Sequence, residues 1–291
     1  MSDKLNKHGL SRNIPEQVKR EVRQQCGFGC VICGTAIAQY EHYEPDFAEA
    51  TEHLAKGITL LCGACHDKVT RGFWSKQKVS EASKSPICIK RGHAIDAFDI
   101  SFQHPLIRIG PATWINTSTI LDVMGQTVLR IDPPEADGCP YRVSGVFSDD
   151  QTGNALVIDA NEWKASASLW DVEVEGKTVT IRRKPRDIIL RLVADPGKGI
   201  TISKINLSYN GARLYGSDQT FSAEAPDGSK ITLAAYTAEG CKTAISINQT
   251  SVIVGCCCNW GCTFPYEQAV REAESLGLSL IPSAPRRFLG I

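Results

Sequence analysis

Two segments, Cys30-Val31-Ile32-Cys33 and Leu60-Leu61-Cys62-Gly63-Ala64-Cys65-His66, decide how the first third of this chain reads. Each holds a Cys-x-x-Cys, a turn that aims two thiolates at one metal ion. Two such turns complete a tetrahedral shell of four sulfurs, so Cys30, Cys33, Cys62 and Cys65 read as a structural Zn2+ site. The plainer alternative is four small buried thiols used as packing. The 28 residues between Cys33 and Cys62 exceed the common finger spacings, so something is built in the intervening loop. That loop carries Glu41-His42 and His53, and His66 abuts the last cysteine.

These residue types suit phosphodiester hydrolysis. The reaction needs an activated water, charge neutralisation on the phosphate and help for the leaving oxygen. An ordinary histidine titrates near 6.5, so His42 can take a proton from water near neutral pH. Glu41 and His66 can hold one divalent cation that polarises the phosphate. Neighbouring strand residues point to opposite faces, so a bulge or turn at Tyr40–Tyr43 is predicted to bring Glu41 and His42 together. Cys65, as a zinc ligand, fixes His66 near the start of a helix. Each histidine also has a bland reading, as a surface or core residue.

On these residues the stretch from about Arg12 to Gly72 resembles the HNH endonuclease family in its zinc-supported, ββα-metal form. The carriers are Cys30, Cys33, Glu41-His42, Ile58-Thr59-Leu60-Leu61-Cys62, Cys65-His66 and Thr70. The resemblance implies a hairpin bearing an acidic residue followed by histidine, and a helix that returns the last ligand beside them. It implies phosphodiester cleavage with one divalent ion, Mg2+ or Mn2+, held by Glu41 and His66, with His42 as the base. Two positions depart from the family pattern. Gly57 stands where the family usually has an asparagine that braces the hairpin loop, and His53 is the nearby candidate to replace it. Glu41 replaces the commoner aspartate, keeping the oxygen ligand that a hard cation prefers.

The 291 residues are enough for two domains with real cores, and 22% charged against 42% hydrophobic residues is ordinary globular composition. No run of about eighteen apolar residues is present, and Met1-Ser2-Asp3-Lys4 opens no apolar signal segment, so neither a membrane span nor secretion is expected. Twelve cysteines, at least four of them metal-bound on this reading, fit a reducing cytoplasm better than a disulfide scaffold. A zero net charge hides an asymmetry: residues 1–90 hold 13 Lys and Arg against 10 Asp and Glu, and the excess reverses afterwards. A slightly basic first part suits DNA.

Along the chain, Pro15 opens a helix that ends near Cys26-Gly27, with Lys19, Arg20 and Arg23 on a basic face that either contacts phosphates or is simply solvated. Phe28–Ile37 reads as the zinc knuckle and first hairpin strand, 46–52 as a short helix, Gly57–Leu61 as a strand, and Cys65 onward as a helix stopping at Gly72. Lys68 and Arg71 flank His66 and are candidate DNA-backbone contacts. Ser80–Pro86 reads as a linker. After it, short β-branched runs such as Ile87–Lys90, Leu106–Ile109 and Thr243–Ile247 recur every eight to twelve residues, the signature of a β sandwich or barrel. Asp171–Ile181 is the clearest hairpin, turning at Glu175-Gly176. Trp114, Trp163 and Trp170 are core residues or a ligand surface, and Arg182-Arg183-Lys184-Pro185-Arg186 touches nucleic acid or blunts an edge strand. Near the end, Cys256, Cys257, Cys258 and Cys262 match no common zinc pattern and read as packing residues, with a second metal or redox site as the alternative. Pro265 then starts a helix with Ala269, Val270, Ala273 and Leu276 inward.

The expected fold is α+β: a ββα-metal zinc module at 1–85, a mainly β sandwich- or barrel-like domain at 86–250, and a strand–helix extension at 251–291. The expected function is a metal-dependent HNH endonuclease cutting DNA, of the kind used in bacterial or phage restriction and antiphage defence. The alternatives are a non-catalytic zinc module that binds DNA or a partner, and a nuclease gated by a ligand on the β domain. DNA, a homo-oligomer and a regulatory ligand or protein are the expected partners.

Overall fold

The computed structural model describes residues 5–280. The chain start at 1–4 and the end of the C-terminal extension, 281–291, lie outside the described residues. The protein is mostly β and divides into two compact units, Met1–Asp96 with Lys164–Val174, and Ala97–Trp163 with Glu175–Ile291. Among the described residues no helix is long and apolar enough to cross a membrane.

In the first unit, Pro15 leads into α1 (Glu16–Cys26), where a missing N–H is harmless. Gly27 closes the helix at φ 67°, a left-handed conformation that glycine adopts without a Cβ penalty. Val22 and Cys26, four apart, face inward. The knuckle follows: Gly34 N–H donates to the Cys30 carbonyl and Cys30 N–H to the Thr35 carbonyl, both at 2.9 Å. The segment expected to hold the first strand is therefore turns, and β1 lies later, at Gln39–His42. β1 pairs antiparallel with β2 (Ile58–Leu61) in a continuous register, Gln39 opposite Leu61 and His42 opposite Ile58. Asp46–Ala50 makes one hydrogen-bonded turn but no helix. α2 (Gly63–Thr70) starts directly after β2, with Cys62 as its N-cap.

α3 (Lys76–Lys84) runs through most of the stretch read as a linker, with the Ser75 side chain capping its start. The next run, β-branched in sequence, is α4 (Ile87–Arg91) rather than a strand, because Pro86 opens it and Gly92 closes it at φ 79°. Cys88 of α4 is buried against the Cys30 and Gly34 carbonyls. β3 (His93–Ala97) ends this part of the chain. Val22, Val31, Ile58, Leu60, Leu61 and Val79 share one core, so hairpin, knuckle and helices bury a common surface.

From Leu106 to Cys262 the chain is built of short strands, of which β10 is divided between the two units and β11 lies mainly in the first. In chain order they are β4 (Leu106–Ile109), β5 (Ala112–Ile115), β6 (Thr119–Val123), β7 (Gln126–Asp132), β8 (Arg142–Asp149), β9 (Gly153–Asp159), β10 (Glu162–Ser166), β11 (Asp171–Glu175) and β12 (Thr178–Lys184). There follow β13 (Asp187–Asp195), β14 (Gly199–Tyr209), β15 (Ala212–Ser217), β16 (Phe221–Glu224), β17 (Lys230–Leu233), β18 (Tyr236–Glu239), β19 (Thr243–Ile247), β20 (Val252–Cys256) and β21 (Trp260–Cys262). β20-β19-β6-β7-β8-β9 form one sheet path and β12-β13-β14-β4-β5-β18-β21 another. β14 shares one edge between two partners: Gly199–Ile202 pairs in parallel with β4, and Lys204–Tyr209 antiparallel with β15. The sheets are open, so the barrel reading is set aside.

Trp114 and Trp163 are fully buried, which settles both as core. Arg183, from the basic cluster, is held inside by Asp149 and Asp187 at 3.0 Å each. The hairpin turn falls at Gly176-Lys177, one residue later than expected, with Gly176 at φ 56°. α5 (Tyr266–Ser275) buries Ala269 and Ala273 as its spacing predicts, but Leu276 lies past its end and is exposed. The cysteine-rich tail departs from the packing reading. Cys258 is disulfide-bonded to Cys241, and Cys257 is exposed.

Candidate functional site

The sulfur atoms of Cys30, Cys33, Cys62 and Cys65 lie within 4.8 Å of one another. A tetrahedral ion with Zn–S bonds of about 2.3 Å would separate its sulfurs by about 3.8 Å, so the four fit one structural zinc ion. The knuckle presents the first pair and the α2 N-terminus the second. Burial raises Cys30 against backbone hydrogen bonds that lower it, and burial followed by the neighbouring thiols raises Cys65. At Cys33 burial also pushes upward, but hydrogen bonds with Thr35 and the other thiols outweigh it and bring the group to about 7. Four crowded thiolates repel, and a central cation reverses that balance.

Beside this cluster lies a cleft of about 340 Å3 lined by Arg12, Glu41, His42, Phe47, His66 and Lys76. Glu41 and His42 come from β1, and His66 from the first half of α2. The predicted bulge is absent, since the β1–β2 register is unbroken. Glu41 and His42 nevertheless border the same cleft, because β1 ends at His42. A Tyr43–Asp46 bridge then folds the chain back, so that Asp46 and Phe47 form a wall. The Phe47 ring meets His42 edge-on, with centroids 5.4 Å apart.

Glu41 Oε2 and His66 Nε2 are 3.0 Å apart. The Thr70 hydroxyl is anchored on the His66 carbonyl at 3.1 Å and reaches the His66 Nδ1 at 3.5 Å. His42 Nε2 lies 3.1 Å from His53 Nδ1, and His53 Nε2 lies 3.0 Å from the Ser11 carbonyl. Burial, followed by the charges of His53 and Arg12, pushes His42 down to about 4. His42 is therefore a neutral imidazole at pH 7.

Gly57 is explained by its surroundings. A Cβ there would sit 2.2 Å from the Glu44 carbonyl oxygen, while the Gly57 carbonyl accepts from Tyr43 N–H at 3.0 Å. Backbone occupies the place a side chain would need.

The structure brings Glu41, His42, His53 and His66 together, and Lys68 and Arg71 lie exposed on and just beyond the same helix. Arg71 pairs with Asp67 at 2.9 Å, and Lys68 Nζ sits 4.5 Å above the Trp74 ring. The basic face of α1 is a different matter. Arg23 is buried, bonded by Nε and Nη2 to Asp171 at 2.8 and 2.9 Å and by Nη1 to the Tyr40 hydroxyl at 2.9 Å. An arginine so enclosed contacts no phosphate, and it leaves the candidate DNA set. Arg20 stacks over Trp170, and Lys19 pairs with Glu16 at 2.7 Å. Sequence reasoning missed Arg12 and Lys76. Both are isolated basic residues, 64 positions apart in the chain, and no local pattern marks them. Compared with known proteins, the chain matches no family model, no curated protein and no solved structure.

Proposed function

We propose that this chain is a metal-dependent DNA endonuclease of the HNH, ββα-metal type. One observation carries the reading: Glu41, His42 and His66 line a single cleft next to a four-cysteine cluster, on a hairpin and the helix that follows it. The Glu41 and His66 ligand atoms are 3.0 Å apart, about the spacing of adjacent ligands around an octahedral ion with bonds near 2.1 Å. A bound Mg2+ or Mn2+ would supply charge neutralisation on the phosphate and stabilise the leaving oxygen.

The protein's own groups do the rest. The Ser11 carbonyl only accepts hydrogen bonds, so His53 carries its proton on Nε2 and accepts on Nδ1. His42 must then donate from Nε2, which leaves Nδ1 as its basic nitrogen. Nδ1 takes the proton of the attacking water. Arg12, on the cleft wall, offsets phosphate charge, and Lys76 adds to it by exchanging its ion pair with Asp46 for the phosphate. A bound phosphodiester also raises the His42 pKa from its low resting value, because a nearby anion favours imidazolium.

Plasmid and single-stranded DNA incubated with pure protein and Mg2+, Mn2+ or EDTA test the reading. Cleavage is expected with either ion and not with EDTA. His42→Ala should reduce it by about a hundred- to ten-thousand-fold with DNA affinity nearly intact. No cleavage of either substrate, or parental cleavage by His42→Ala, overturns the assignment.

A further inference from the structure

We propose that Phe73 is a stacking platform for an unpaired base, and that the cleft acts on single-stranded DNA or unpaired stretches of it. This rests on the endonuclease reading and specifies its substrate class.

Phe73 is 79% exposed, the most exposed large apolar side chain among the described residues. An isolated surface phenylalanine by itself means little. Its setting points to a ligand. Residues 63–84 hold five cations, Lys68, Arg71, Lys76, Lys78 and Lys84, against Asp67 and Glu81; Arg71 is paired with Asp67 and Lys76 with Asp46, which leaves Lys68, Lys78 and Lys84. Lys68 and Lys78 both place their ammonium groups over the Trp74 ring, at 4.5 and 4.6 Å. Phe73 is the exposed neighbour of that cation-covered Trp74, and an exposed aromatic on a cationic segment complements a polyanion whose bases have free π faces.

The backbone that carries Phe73 is held on both sides. Trp74 packs on the unit's core, and its backbone N–H donates to the Lys68 carbonyl at 3.0 Å. Gly72, at φ 73°, turns the chain out of α2, and Ser75 restarts it as the cap of α3. Phe73 thus sits on a short connection tied at both ends. Lys76 lines the cleft, and three residues span at most about 11 Å. At about 3.4 Å per nucleotide along a strand, Phe73 lies within about three nucleotides of Lys76. In a duplex the base faces are covered by their neighbours and offer Phe73 nothing to stack on. An unpaired base does.

The test is fluorescence anisotropy of the zinc-loaded full chain with a labelled twenty-nucleotide single strand and a duplex of the same length. Ca2+ replaces Mg2+ to suppress cutting. The single strand should bind more tightly. Phe73→Ala should weaken single-strand binding by about five- to a hundredfold and duplex binding by less than about twofold, and Phe73→Trp should restore it. Lys76→Gln should weaken both. Equal effects of Phe73→Ala on the two DNAs, or none, overturn the stacking role while leaving the endonuclease reading intact. Binding to neither DNA overturns both.

Discussion

His53 Nδ1 lies 3.1 Å from His42 Nε2, and the far nitrogen of His53 lies 3.0 Å from the Ser11 carbonyl. The chain Ser11–His53–His42 sets the tautomer of His42. His53→Ala should therefore lower kcat by about ten- to a hundredfold, with KM and zinc content unchanged. The 15N spectrum of the His42 ring should then show mixed tautomers. His53→Gln, whose amide can accept from His42 and donate to Ser11, should recover part of the rate. Parental kcat in His53→Ala would remove His53 from the site.

The four cysteines bring the knuckle to the helix N-terminus, so a metal ion bound there would contribute folding energy to the first unit. Elemental analysis should find about one zinc per chain. Cys62→Ser should release it and unfold the hairpin and α2, visible as lost amide-exchange protection at Ile58–Leu61. A zinc-free protein with those amides still protected would refute a structural metal.

Placing an asparagine at position 57, where Gly57 stands, should harm the protein. The new Cβ meets the Glu44 carbonyl oxygen at 2.2 Å, so backbone must move. Overpacking of this kind typically costs about 1–3 kcal/mol. Urea denaturation of Gly57→Asn and Gly57→Ala measures it, and parental midpoints for both would show that the turn yields freely.

Arg23 and Asp171 are 148 residues apart in sequence yet form a buried, two-pronged ion pair, with Glu173 3.1 Å from the same guanidinium. Asp171→Ala leaves that cation with Glu173 as its remaining carboxylate and should destabilise the first unit by at most about 3–5 kcal/mol. The paired substitution Arg23→Met with Asp171→Leu should recover most of the loss. Chemical denaturation of the parent, Arg23→Met, Asp171→Leu and the double variant decides it, and additivity of the two single effects would argue against a direct pair.

His104, buried in the second unit, bonds the Pro105 carbonyl through Nδ1 at 3.1 Å, and its Nε2 has no hydrogen-bond partner. Burial lowers its pKa; the Pro105 carbonyl and the Glu239 charge oppose that only in part. The folded state thus binds the proton less readily than the unfolded chain, where histidine titrates near 6.5. Stability from neutral His104 is full above that value and is lost as pH falls below it. Thermal melts at pH 7.5 and 5.5 should show the second unit weakening on acidification, and His104→Gln should flatten part of that slope. An unchanged slope would exclude His104 as its source.

Sequence alone placed the four cysteines, the caps at Pro15, Gly27 and Pro265, and the recurring strands, because spacing and φ preference are local properties. It also put Glu41, His42, His53 and His66 on one list, since metal and proton chemistry restricts residue types. It misread Ile87–Lys90 as a strand, because β-branched composition speaks more weakly than the Pro86 and Gly92 boundaries. Several features needed the tertiary structure. Arg23 turns inward only because Asp171 arrives from a distant segment, and no window of sequence contains both. Arg12 and Lys76 meet the histidines only after the hairpin folds back at Tyr43. The Ser11–His53–His42 chain fixes a tautomer through hydrogen bonds that have direction as well as partners. Residue identity supplies the chemistry of a site, but its geometry depends on contacts between residues far apart in the chain.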